Sequence, residues 1–224
     1  MTWVIAICGT MGSGKSTVVE NVAAAFPDCE ILFEDDYNKT TERSLEEISA
    51  WWSRGADVGE FDLSGLLAQL AAGCPDKSQD QGIDVPRSPE VFSTASCATE
   101  KVRSRSGTKK LLLLETHFGR LHPALNPWID FQCWIDVPAD IAVARKIAQL
   151  SAQLQMQSPH NGTSDGLRWI ESFCKGYLTT TRKLFEMQRQ KVRDLSDVSI
   201  DGQAAPLDVC AEFLQRLPQK YKPE

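Results

Sequence analysis

The sequence predicts an α/β protein, with five parallel strands in one sheet and helices covering both faces. Two patterns carry that expectation. Short, almost continuously apolar runs recur along the chain, separated by segments with apolar residues at helical spacing, as in a sheet buried on both sides. The first of these runs also passes through a glycine-rich loop straight into an amphipathic segment, the strand–turn–helix order of a phosphate-binding unit. With 224 residues and 42% hydrophobic content there is ample material for one core, so residues 1–224 are read as a single domain.

Trp3 to Cys8 (WVIAIC) is the first strand, and Ser16 to Phe26 (STVVENVAAAF) is the first helix, stopped by Pro27. Cys29 to Glu34 (CEILFE) forms the second strand. Asp62 can cap a helix carrying Leu63, Leu66, Leu67 and Leu70 and ending near Gly73. Leu111 to Glu115 (LLLLE) and Phe131 to Val137 (FQCWIDV) are the third and fourth strands. After Pro138 a helix runs from about Ala139 to Gln157. A long helix is expected over Leu167 to Arg193, with a break at Gly176. The fifth strand, Asp197 to Asp201 (DVSID), and a closing helix, Pro206 to Leu217, complete the set.

Two segments depart from the alternation. Residues 74–109 are rich in Pro, Ser, Asp, Gln and Thr and too long for a plain connection, which suggests a substrate-side insertion. The turn-rich stretch Ser158 to Gly166 (SPHNGTSDG) marks a lid over residues 151–168.

Gly9 to Thr17 reads GTMGSGKST and satisfies G-x-x-x-x-G-K-[ST]. Gly9, Gly12 and Gly14 are expected to adopt backbone angles that a Cβ would forbid, so that successive N–H groups, Ser13's among them, converge on an anion. The helix that follows adds unpaired N–H groups and the positive end of its dipole. Lys15 supplies a mobile charge for the β- and γ-phosphates. The hydroxyl of Ser16 is the expected Mg²⁺ ligand, with Thr17 beside it in the first helical turn.

Strand ends supply the other candidates, because ligands of open α/β sheets bind outside the carboxyl ends of the strands. Glu34, Asp35 and Asp36 close the second strand, and one of the two aspartates is placed to accept a proton from a hydroxyl nucleophile. Glu115 ends the most apolar strand, where an acid can hold a Mg²⁺-bound water; the competing roles are an ion pair with Lys15 or a loop cap. Arg145, on the helix after the fourth strand, can reach toward phosphates. Arg168, Lys175, Arg182 and Lys183 lie beyond the turn-rich stretch. Asp62-Leu63-Ser64-Gly65 spells D-x-x-G but falls at a helix start, and no N-K-x-D motif supports a GTPase reading.

Composition excludes several partners. The net charge is −6, and no Lys/Arg-rich block or basic stripe suggests nucleic acid or an acidic membrane. Seven scattered cysteines without a C-x-x-C read as free thiols in a cytoplasmic protein, and His117, His122 and His160 show no metal-ligand spacing with them.

GTMGSGKST followed by a strand ending FEDDY resembles the uridine kinase and nicotinamide riboside kinase group of P-loop small-molecule kinases. Phe61-Asp62-Leu63 with its leucine-rich helix is similar to the group's substrate-side helix, and Pro89 to Phe92 to its P-x-Y stretch. LLLLE and IDVPADIAVARK resemble its third strand and its strand–Pro–helix–Arg segment. The resemblance implies the P-loop nucleoside triphosphate hydrolase fold with a short lid, ATP and Mg²⁺ as cofactors, and transfer of the γ-phosphoryl group to a hydroxyl of a small metabolite. It also implies Asp35 as the hydroxyl-activating residue, Glu115 at the third strand end and Arg145 as the first lid arginine. Ser93 to Ala98 lacks the His and Arg with which uridine kinases bind the base, so pyrimidine nucleosides are expected to be weak acceptors. Two alternatives remain: a non-nucleoside acceptor, as in phosphoribulokinase or pantothenate kinase relatives, and a nucleotide-binding regulator without catalysis.

Overall fold

All five apolar runs form parallel strands: β1 (Thr2–Cys8), β2 (Cys29–Phe33), β3 (Lys110–Thr116), β4 (Phe131–Asp136) and β5 (Val198–Asp201). They lie in the order β2-β3-β1-β4-β5. The computed structural model describes residues 2–26, 28–37, 45–80, 110–157 and 163–222. Register is fixed along β1, where Trp3 faces Leu111 and Cys8 faces Thr116 on β3, and Ile5 faces Phe131 on β4.

Side chains alternate across these strands and split the core in two. Ile5, Ile7, Leu111, Leu113, Cys133 and Ile135 point to one face. There they pack against Val18, Val19 and Val22 of α1 (Lys15–Ala23) and Phe213 of α8 (Pro206–Arg216). Val4, Ala6, Leu112, Leu114 and Trp134 point to the other, against Leu66 and Leu70 of α3 (Ser64–Gly73) and Trp128. Each fully buried Val, Leu or Ile contributes about 1.5–3 kcal/mol by leaving water, so the α1 valines alone anchor the helix behind the glycine loop. Asp62 Oδ1 accepts the Ser64 N–H at 2.9 Å, but α3 begins one residue later than expected, at Ser64, with Leu63 rather than Asp62 at its N-cap.

Three further features differ from the sequence reading. A helix not anticipated there, α2 (Leu45–Ser53), precedes α3 and buries Trp51 to 3% exposure against Phe61 and Phe118. Residues 75–80, at the head of the expected insertion, form α4 (Pro75–Asp80), while 81–109, including the Pro89–Phe92 and Ser93–Ala98 stretches, lie outside the described residues. α5 (Ala139–Gln157) has the expected bounds, but the helix after it starts earlier, at Thr163 (α6, Thr163–Gly176), and Gly176 does not break it. Gly176 keeps helical angles (φ −59°, ψ −42°), and the ladder widens into π-helical turns at Tyr177–Thr181 and Gln188–Val192, on either side of α7 (Arg182–Met187). A lone glycine costs a helix about 1 kcal/mol, less than the packing of Tyr177 on Phe185, 5.6 Å apart, and its neighbours returns. Of the expected lid, 151–157 belong to α5 and 163–168 to α6, with 158–162 outside the described residues. Among the described residues no helix is long and apolar enough to cross a membrane.

Candidate active site

The strand order itself selects the crevice. From β1 the chain leaves toward β2 on one side, and from β3 it leaves toward β4 on the other, so the topological switch lies between the ends of β1 and β3. Two loops meet there: Gly9–Gly14 after β1 and the turn after Thr116.

The glycine loop is built by close approach as much as by unusual backbone angles. Gly12 and Gly14 are left-handed, at φ 80° and 92°. Gly9 is not, contrary to the sequence expectation; it is required because a Cβ there would stand 2.5 Å from Ser13 Oγ and 3.1 Å from the Ile135 carbonyl. Gly12 is doubly constrained, since a Cβ would also sit 2.0 Å from the Ala142 carbonyl of α5. Gly14 caps α1, so the helix opens with Lys15 and presents its first free N–H groups to the loop. Thr10 Oγ1 and Ser13 Oγ are buried yet find no hydrogen-bond partner among the described residues. Orphaned hydroxyls beside a helix N-terminus are what a phosphate-binding concavity provides, and these residues therefore fit a nucleotide's phosphates.

Lys15 is only 4% exposed, donates to the Thr10 carbonyl at 3.3 Å and lies 3.6 Å from Glu115 Oε1. Glu115 is therefore an ion-pair partner of Lys15, one of the roles expected for it; its position at the β3 end leaves another of them, holding a metal's water, compatible. Burying two charges costs several kcal/mol of hydration each, so this pair is poorly explained as a stabilising device and better as charge held ready for a ligand. Ser16 and Thr17 are exposed in the first turn of α1, open to what the loop binds.

β2 ends in a 3₁₀ turn, Glu34–Asp36, in which the three acids take different roles. Glu34 is buried: its carboxylate accepts the Thr116 hydroxyl and, at 3.1 Å, the His117 N–H. Thr116 Oγ1 in turn accepts the Phe118 and Gly119 N–H groups at 3.2 and 3.0 Å. This network ties the turn after β3 to the end of β2. Asp35 then meets the side chain of His117, with Nε2 3.1 Å from Oδ1. The hydrogen bond from His117 is the largest cause that draws the Asp35 carboxyl down to about 2, and the charges of His117, Lys15 and Lys146 assist it against partial burial. Asp36 is exposed.

Sequence reasoning gave no role to Glu34 or His117. The signal for His117 lay in strand pairing: Phe33 faces Glu115, and two residues further along both strands Asp35 faces His117. His122 is a different case, with Nε2 donating to the Phe61 carbonyl at 3.2 Å while Nδ1 accepts the Ala124 N–H at 3.3 Å, a buried structural histidine. Arg145 donates to the Gly202 carbonyl at 2.9 Å. Gly202 sits in the turn after β5, where a Cβ would come within 3.3 Å of the Ser13 carbonyl, so Arg145 stitches α5 to a turn that borders the glycine loop. Arg168 is exposed on α6.

No protein-family model matches the chain, and neither does any curated protein. Among solved structures it is similar to a sugar kinase from Janibacter sp. HTCC2649 (17% identity, 96% of this chain and 94% of that one, TM-score 0.45). It is also similar to shikimate kinase from Acinetobacter baumannii (14%, 96% and 92%, TM-score 0.46) and to a putative fructose transport system kinase from Silicibacter sp. TM1040 (16%, 88% and 89%, TM-score 0.46). Likenesses this distant decide nothing about the reaction, so the chemistry has to be read from the site.

Proposed function

We propose that the protein is an ATP-dependent kinase that transfers the γ-phosphoryl group to a hydroxyl of a small metabolite, using machinery like that of the uridine kinase and nicotinamide riboside kinase group. The observation that carries this is the Asp35 carboxylate, held by His117 at 3.1 Å at the end of β2, one strand removed from the phosphate loop across β3 and within the field of Lys15. A nucleotide sensor would need the cradle but not an oriented carboxylate at the acceptor side.

Mg²⁺ and ATP, when bound, supply the phosphoryl group and neutralise part of its charge. Gly9, Gly12, Ser13 and Gly14 would hold the phosphates through the loop, with Lys15 as the mobile cation and Arg145 at the border toward the turn after β5. Ser16, and Glu115 through water, would hold the metal. Asp35 receives the hydroxyl proton as the acceptor oxygen becomes a nucleophile. An alcohol is about as weak an acid as water, so a carboxylate drawn down to about 2 is far too weak a base to remove its proton beforehand. Asp35 therefore orients the hydroxyl and takes the proton late, as the new bond forms. The acceptor stands on the side of His117 and Phe118, whose neighbours Trp51, Trp52 and Phe61 form an aromatic wall.

Nucleotide binding is tested by melting. Mg·ATP at a hundredfold excess over its Kd should stabilise the wild-type protein by about 2.7 kcal/mol, and Lys15→Ala should lose most of that gain. Equal melting shifts in the two proteins would remove the cradle, and with it the kinase reading. An ADP-release screen across nucleosides, sugars, vitamins and other alcohols then finds the acceptor.

A further inference from the structure

We propose that Lys146, and not Arg145, is the cation that α5 contributes to the outermost phosphate of the bound nucleotide. The proposal rests on the phosphate loop being a nucleotide site and names the second positive charge of that site.

α5 touches the loop directly. The Ala142 carbonyl occupies the space where a Gly12 Cβ would stand, so Ala142 marks the helix face that lies on the loop. One turn further along that face come residues 145 and 146. Their head groups part company. The guanidinium of Arg145 donates to the Gly202 carbonyl at 2.9 Å and is drawn toward the turn after β5. Lys146 is not tied to that turn: its ammonium group donates to the neutral Gln149 Oε1 at 3.3 Å, a long bond that an anion would readily replace.

The ammonium group of Lys146 also bears on the acceptor side of the crevice. Its charge helps to hold Asp35 ionised, as that of Lys15 does, although the two lysines stand on different helices. Asp35 thus feels the charge of one cation from the start of α1 and of another from the second turn of α5. A phosphoryl group travelling from the loop toward a hydroxyl at Asp35 would move within the field of both. Lysine suits this position because its compact charge sits on a flexible stem and can follow the group as it moves. A planar guanidinium already committed to a backbone carbonyl does not.

The experiment is calorimetric titration of the full chain with Mg·ADP and with Mg·AMP-PNP, which carries a third phosphate and does not turn over. Lys146→Met keeps the aliphatic stem and removes the charge. It should lose about tenfold in affinity for Mg·AMP-PNP, the effect of one charge-assisted hydrogen bond, and stay within about twofold of wild type for Mg·ADP. Lys146→Arg should recover most of the loss. Arg145→Met should change both affinities together. The inference is overturned if Lys146→Met binds both nucleotides as wild type does, weakens both equally, or if Arg145→Met alone shows the selective loss. Failure of the wild-type protein to bind either nucleotide would overturn the site itself, a result distinct from an unchanged Lys146→Met variant in a protein that binds both.

Discussion

Replacing His117 by Phe separates two ways in which a histidine can serve the neighbouring carboxylate. Asp35 titrates near 2 against an ordinary 3.8, and the hydrogen bond and charge of His117 are first and third among the causes. Without them Asp35 should titrate near 4, its usual range. The sign for stability follows from a lowered folded-state value: Asp35 stabilises the fold above about pH 4, and the contribution disappears as pH falls through 2. The full shift corresponds to about 2.4 kcal/mol, but 68% of the Asp35 side chain is exposed, and solvent screening reduces the contribution to about 0.2–1 kcal/mol. Ionisation cannot be what His117 contributes to catalysis at neutral pH. At pH 7 a carboxyl with a pKa of 2 is protonated about once in 10⁵ molecules and one of 4 about once in 10³, so either is fully ionised. Orientation remains, and one hydrogen bond of about 0.5–1.5 kcal/mol sets the loss in kcat at about 2- to 12-fold. Carboxyl-carbon NMR of Asp35 across pH, together with turnover at pH 7, measures both quantities. An Asp35 that still titrates near 2 in the variant, with turnover unchanged, would refute the pairing. A loss near 10³-fold would refute a purely orienting role.

Glu115→Gln should weaken the Mg²⁺ dependence of turnover and lower kcat, because an amide holds metal-bound water less well than a carboxylate; an unchanged Mg²⁺ titration and rate would leave Glu115 only its pairing with Lys15. Gly12→Ala should destabilise the protein by about 1–3 kcal/mol in denaturant melts, since the new Cβ meets the Ala142 carbonyl and the residue keeps a left-handed backbone. Wild-type stability in that variant would mean that α5 does not rest on the loop.

What could be read from the sequence divides along physical lines. Strands buried on both faces are uninterrupted apolar runs, so WVIAIC, LLLLE and FQCWIDV revealed themselves, and the glycine loop was legible because its chemistry is local to nine residues. Asp35, Lys15 and Glu115 could be named as candidates because they stand at strand ends or in that loop. The His117–Asp35 contact was hidden because it depends on β2 pairing with β3 and on the register of that pair, neither of which is written in either strand alone. Glu34 was hidden for the same reason: its partners Thr116 and His117 belong to the other strand's turn. α2 escaped although Leu45, Ile48 and Trp52 have helical spacing, because polar residues surround them and the burial of Trp51 comes from contacts with Phe61 and Phe118. At Gly9 the residue was recognised but its reason was not, since the constraint is a carbonyl of β4 brought close by the sheet.

A kinase of this design needs Asp35 to receive the proton of an alcohol while the phosphate loop presents the phosphoryl group. The direct measurement is transfer of label from [γ-³²P]ATP to the best alcohol of the acceptor screen, for wild type, Asp35→Asn and Asp36→Asn. Asp35→Asn should lower the labelling rate by about 10²-fold or more with ATP affinity nearly unchanged, and Asp36→Asn should do much less. Equal rates in all three proteins, or a greater loss in Asp36→Asn than in Asp35→Asn, would contradict the account.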